Sequence, residues 1–274
     1  DGRFTLDLSE VVLEIDDEIQ VFLRDAEGSA VAAGVVNPPE TNNTRGNINP
    51  ATELTFRDMT FEQATTLIVG DLGPVSPVDP LDPEVEVDPE NKPELPENQG
   101  LLSIDFVSSF TFGTQTISAH DQIYYAQPQR LLNEDGTVNE TEERPNYVQV
   151  SDSRSDYERN GWQLAVTQNT QFSTTDDNQL LGAQLYLMNQ QLVTAQDGKE
   201  PALQATNPLT LVPGNKRTLL RAEGTEGTGT WIYRFGNAET AKESIALHVP
   251  KGATPHAEAY TTTLTWELSA IPGN

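Results

Sequence analysis

The sequence predicts an all-β protein, an antiparallel β-sandwich or barrel-like domain with a long acidic, Pro-rich insertion or linker. Three observations predict it. Residues 259–271 (AYTTTLTWELSAI) alternate: Tyr260, Thr262, Leu264, Trp266 and Leu268 fall on one face, and Thr261, Thr263, Thr265, Glu267 and Ser269 on the other. That is the period of a half-buried antiparallel strand. From Leu101 onward, apolar runs of strand length recur between Gly- and Pro-bearing turns. No run keeps a helical period.

Residues 1–33 read as short N-terminal strands, with Phe4, Leu6 and Leu8, then Val11, Leu13 and Ile15, then Ile19, Val21 and Leu23 alternating before the turn at 25–28 (DAEG). Residues 34–70 open with an Asn-, Pro- and Gly-rich loop and continue into two strand candidates, ELTFRDMTF and TTLIVGD. These are expected to enter the same sandwich as the rest of the chain.

Residues 71–100 form the acidic Pro-rich linker or insertion, with seven prolines, nine acidic residues and a single Lys92. Proline removes ladder donors and favours extended geometry, and like charges extend the chain further. A solvated spacer is the plain reading of such a stretch, and a docking strip for a basic partner is the functional one.

Residues 101–274 hold the dense strand signals: LLSIDFV, SFTFGTQTIS, QIYYAQ, YVQVSD, GWQLAVTQ, LLGAQLYLMN, LTLVP, RTLLRAE, TWIYRFG, SIALHVP and the last strand. Turn chemistry separates them at Glu134-Asp135-Gly136 (with an acidic loop to Glu143), Asp197-Gly198, Pro213-Gly214-Asn215 and Pro250-Lys251-Gly252. Many short strands with such turns mean a sandwich or barrel.

Charge narrows the partners. Sixteen basic against forty-two acidic residues give a net charge of −26. A nucleic-acid binder needs Lys and Arg for the phosphate backbone, and an anionic membrane surface repels such a chain. No apolar run reaches the ~20 residues of a membrane span, so membrane insertion is not expected. No cysteine is present, which removes disulfides and thiol chemistry. The chain opens directly in strand rhythm with no signal peptide, and it is read as a mature or trimmed fragment.

Two Trp-x-Leu tripeptides stand about a hundred residues apart, Trp162-Gln163-Leu164 and Trp266-Glu267-Leu268. The second lies inside YTTTLTWELSAIP. With LLSIDFVSSFTFGTQTIS (101–118), VQVSDSR (148–154), GTWIYRFG (229–236) and SIALHVP (244–250), they resemble the WxL domain of Gram-positive surface proteins over roughly residues 100–272. The resemblance implies secretion to the cell surface and non-covalent binding to peptidoglycan. It also implies a WxL-interacting surface protein as a partner. The first thirty-three residues are similar to the later strands of a bacterial immunoglobulin-like module; alternatively, they belong to the sandwich itself.

Candidate binding residues follow from the motifs and their neighbours. The rings of Trp162 and Trp266 are either core, sharing a face with Leu164 and Leu268, or platforms for sugar rings. Tyr260 shares that face on the last strand. Gln163 and Glu267, on the opposite faces, would be polar contacts of a surface patch. Asp152 and Arg154 sit on one strand face, suited either to an ion pair pinning the following loop or to a carboxylate and guanidinium offered to a ligand.

The acidic loops at 134–143 and 174–178 offer oxygens to calcium but lack the spaced Asp loop, so no cofactor or metal is assigned. No H-E-x-x-H, G-x-S-x-G or phosphate-cradling loop occurs, and an enzyme is not expected. The function expected is a non-covalent peptidoglycan-binding domain that anchors a surface protein to the wall. The alternative is a protein-interaction module, docking on a WxL-interacting partner or, as an adhesin, on host extracellular matrix proteins.

Overall fold

The strand-like runs become three four-stranded antiparallel sheets and four two-stranded ones among the described residues. The computed structural model describes residues 18–21, 23–24, 30–32, 65–68, 75–95, 100–154 and 159–271. The chain divides into two units, residues 1–75 with 96–100, and residues 76–95 with 101–274. In the first unit, β1 (Glu18–Val21) pairs with β4 (Thr65–Ile68), and β2 (Leu23–Arg24) with β3 (Ala30–Ala32). The strands expected at residues 4–8, 11–15 and 53–61 lie outside the described residues.

The second unit holds the three larger sheets. The first runs in the order β14 (Gln190–Val193), β18 (Gly229–Phe235), β11 (Asn146–Asp152) and β7 (Leu102–Val107). The second runs β15 (Ala202–Leu203), β17 (Arg217–Glu223), β12 (Gly161–Gln168) and β20 (Leu264–Ala270). The third runs β16 (Leu209–Leu211), β13 (Gln184–Leu187), β19 (Ile245–Val249) and β8 (Gln122–Tyr125). Every pairing is antiparallel and no sheet closes into a barrel, so the sandwich reading of the sequence holds.

One apolar core joins all three sheets. Val148 and Val150 from β11, Leu164 and Val166 from β12, and Leu185 and Leu187 from β13 are all buried in it. Each fully buried residue of this size contributes about 1.5–3 kcal/mol relative to an exposed one. Two local readings differ from the sequence expectation. Residues 108–118, with a strand-like apolar alternation, join no strand ladder. Val138–Arg144, expected as acidic loop, is strand β10 and pairs with β9 (Gln129–Leu132). Charge pairs accompany the second case: across the ladder Arg130 lies 3.2 Å from Glu140 and 3.8 Å from Glu143, and from the short 3-10 turn Ala241–Glu243 Lys242 lies 2.8 Å from Glu143.

All seven residues of β11 are buried, so the first sheet is covered on both faces. Its second cover comes from the acidic Pro-rich stretch. There β5 (Val78–Asp79) and β6 (Asp82–Glu86) form a hairpin, and Val78 packs with Phe106, Tyr147 and Ile232. Polar groups fix the hairpin in place. The Gln149 amide accepts from the Val78 N–H (2.8 Å) and donates to the Ser76 carbonyl (3.0 Å) and to Asp105 (3.1 Å). Arg144 Nε donates to both oxygens of Asp79, at 2.9 and 2.7 Å, and Arg234 donates to the Pro80 carbonyl at 2.5 Å. Burial, helped by the Asp79 charge, pushes the Tyr147 phenol far above its ordinary range.

Candidate functional site

The two Trp-x-Leu tripeptides, 104 positions apart in sequence, lie on adjacent strands. In the β12–β20 ladder Leu164 faces Leu268, Trp162 faces Ala270, and Trp266 faces Val166. All of these side chains share the inner face, because paired positions of an antiparallel ladder point the same way. The two indoles therefore stand four ladder positions apart, about 13 Å at ~3.3 Å per residue. The Leu–Leu pair lies between them and helps fix the register, since a one-residue slip of β20 would turn Trp266 and its Leu neighbours to the outer face.

Their surroundings differ. Trp162 is wholly buried, and its indole N–H donates to the Gly227 carbonyl at 3.1 Å. Gly227 has φ +68°, and a Cβ there would lie 2.6 Å from the ring carbon Cζ2. The close approach of backbone to indole thus requires glycine on both steric and conformational grounds. Gly161, directly before Trp162, meets a similar limit: φ is +107°, and a Cβ would sit 2.2 Å from the Ala222 carbonyl oxygen. Trp266 lies on β20, the edge strand of its sheet, and is only partly buried.

Beside Trp266 opens a cleft of about 1070 Å³. Tyr260 and Trp266 line it, and Phe112, Tyr124 and Phe172 come to it from other elements. The segment 108–118 runs along this cleft without a ladder, and aromatic packing holds it instead. Phe110 meets the core ring Phe235 edge-on at 6.0 Å, and Phe112 meets Phe172 edge-on at 6.4 Å. The Tyr124 hydroxyl donates to the Thr116 carbonyl at 3.2 Å. The Tyr260 hydroxyl accepts the His256 N–H at 2.9 Å.

The remaining sequence candidates fall into two further places. Gln163 and Glu267 are on the outer face of the sheet, away from the rings; Gln163 faces Ser269 on one side and Arg221 on the other. Glu267 is exposed and accepts from Lys216 Nζ at 2.9 Å. Asp152 is 1% exposed at the end of β11. Both its carboxylate oxygens accept from Arg154, each at 2.8 Å, and Arg154 also donates to the Gly161 carbonyl at 3.1 Å. Arg159 adds a second guanidinium 3.5 Å from Asp152 and donates to the Arg154 carbonyl. This knot ties the end of β11 to the start of β12, one residue before Trp162.

The structure therefore brings Trp266 and Tyr260 to an open cleft and Trp162 to the core. It sets Gln163 and Glu267 on a separate outer face. Phe110, Phe112, Tyr124 and Phe172 were not among the residues singled out from sequence. Their aromatic character was visible there, but each reads locally as an ordinary inward strand position.

Among the described residues, no three His, Asp or Glu side chains converge as metal ligands would. Among the same residues, no helix is long and apolar enough to cross a membrane. A family model described as WxL domain surface cell wall-binding matches residues 49–272. No curated protein and no solved structure matches the chain.

Proposed function

The chain belongs to the WxL domain family of surface, cell wall-binding proteins, and we propose that it anchors a bacterial surface protein to peptidoglycan through the cleft beside its second Trp-x-Leu motif. One observation carries this reading: of the paired motifs, only the Trp266 end opens to solvent, and it does so as part of an aromatic-walled cleft of about 1070 Å³. A large concave site with apolar walls and a few polar groups is the usual form of a ligand site. The Leu164–Leu268 pair sets the register that places Trp266 there. Asp152 and Arg154 act as a positioning pair for β12. Gln163 and Glu267 make a secondary polar contact on the outer face.

Binding needs no covalent bond and no metal in this reading, and it involves no catalysis. Release of muropeptides on incubation with purified wall would overturn the last point. The direct test is sedimentation of the protein with peptidoglycan stripped of protein and teichoic acid, at low and high salt. Retention at both is expected, since stacking is little screened. Retention at neither would refer wall attachment to a partner.

A second reading has its own support. β8 is an edge strand with Ile123 58% and Tyr125 45% exposed, and Ile117 nearby is 53% exposed. An exposed apolar edge is a natural site for strand addition by a WxL-interacting surface protein. Ile123→Lys would abolish that contact and leave wall retention unchanged. A host extracellular matrix protein meeting the acidic surface would be told apart by steep loss of binding with salt.

A further inference from the structure

We infer, on the basis of the wall-binding reading above, that the component held in the cleft is the glycan strand itself, the uncharged N-acetylated amino-sugar backbone, and neither its peptide stems nor an anionic wall polymer. The cleft's charge carries this. The protein has forty-two acidic and sixteen basic residues, yet among the thirty described residues lining the cleft Glu258 supplies the single carboxylate, and none is Lys or Arg. A peptide stem presents carboxylates, and a teichoic-acid-type polymer presents phosphates. Sites for either are built on guanidinium or ammonium groups that form charge-assisted hydrogen bonds. Such polymers would also enter against the field of a chain of net charge −26.

An amino-sugar strand asks for something else. Each ring has an apolar face, which stacks on aromatic side chains, and a rim of hydroxyl and acetamide groups, which pair with neutral donors and acceptors. The cleft offers both. Tyr260, Trp266 and Phe112 supply ring faces or edges, and the exposed side chains of Thr111, Thr114 and Thr261 supply hydroxyls at the margin. Its size, about 1070 Å³, is just above the ~300–1,000 Å³ of small-molecule sites, as suits an oligomer. The site is also largely preformed. Phe110 and Phe112 lock the 108–118 segment on core rings before any ligand arrives, which lowers the ordering cost of binding.

The test uses intrinsic fluorescence and three probes. The three tryptophans are Trp162, Trp231 and Trp266, and the first two are 0% and 4% exposed, so a ligand in the cleft changes the emission of Trp266. The probes are intact stripped peptidoglycan, soluble oligomers of β-1,4-linked N-acetylglucosamine, which are uncharged like the amide-capped strand, and stem peptides released by an amidase. Binding of the first two with a fluorescence change, insensitive to salt, and no binding of the third is the expected result. Trp266→Phe should weaken glycan binding about tenfold, the loss of one anchoring aromatic.

Retention on intact wall with no binding of free glycan would overturn the glycan assignment and leave the wall reading standing. Failure on intact wall would overturn the wall reading itself. Glycan binding without a Trp266 signal would overturn the cleft as the site. These wild-type outcomes decide the matter even if the variant folds poorly.

Discussion

The two Trp-x-Leu motifs are the same tripeptide on neighbouring strands, facing the same way, and they have opposite fates. Trp162 sits on β12, an inner strand flanked by β17 and β20, and is sealed by the Gly227 backbone. Trp266 sits on β20, which has a partner on one side only, and its ring reaches the cleft. A strand's position in its sheet, not the tripeptide, decides whether the indole is core or surface. The pair divides the labour of one sheet: one end holds the sandwich shut, and the other leaves an aromatic face available.

Variants that treat the two rings alike should separate these roles. Trp162→Ala should have the largest effect, a loss of about 3–5 kcal/mol in urea unfolding, as for other large buried aromatics. A melting temperature equal to wild type would break the contrast at its root. Gly227→Ala forces a Cβ to 2.6 Å from the same indole at φ +68° and should lose about 1–3 kcal/mol. Its wall retention at a temperature where it stays folded should be normal.

Trp266→Ala should lose only about 1–2 kcal/mol, in keeping with partial burial, yet lose most wall retention. If instead the two Trp variants were equally destabilised and equally impaired in binding, the division of roles would fall. Glu267→Ala removes one end of an exposed pair with Lys216 and should shift stability by about 0–1 kcal/mol. The gentlest check changes no residue: acrylamide should quench one of the three tryptophans in the folded protein, and Trp266→Phe should abolish that quenching.

Much of the fold was legible because strand alternation and turn chemistry are local. Tyr260 to Ser269 shows the alternation in sequence, and the strand Leu264–Ala270 keeps it, with Leu264, Trp266 and Leu268 inward and Thr265 and Glu267 outward. What local pattern cannot carry is partnership. Phe110 and Phe112 alternate like strand residues, but no strand takes up their ladder, and rings from Phe235 and Phe172 hold them instead. Val138–Arg144 looks like loop because its apolar content is low; its ladder with β9, the cross-strand cation Arg130 and Lys242 from a separate turn are not visible in its local pattern.

The site was half legible on the same grounds. Two of the cleft residues, Tyr260 and Trp266, stood out by motif. The other rings, Phe110, Phe112, Tyr124 and Phe172, come from the 108–118 segment, β8 and the stretch after β12, and nothing in their spacing announces a common cavity. Asp152 and Arg154 were visible as a pair. Their second guanidinium, Arg159, and the Gly161 carbonyl were not, since both depend on how the loop folds back.

The hairpin over the first sheet also sets an order of events in the life of the chain. Pro80 is made 154 positions before Arg234, the residue that donates to its carbonyl, and Val78 71 positions before Gln149. At ~5–20 residues per second, Pro80 waits roughly 8–30 seconds for its partner to be synthesised. During that interval the hairpin has its own β5–β6 pairing but not the sheet it will cover. Prolines that cannot donate to a ladder and acidic side chains that repel one another suit that wait: they keep the strip from pairing with the wrong edge until the sheet it covers exists.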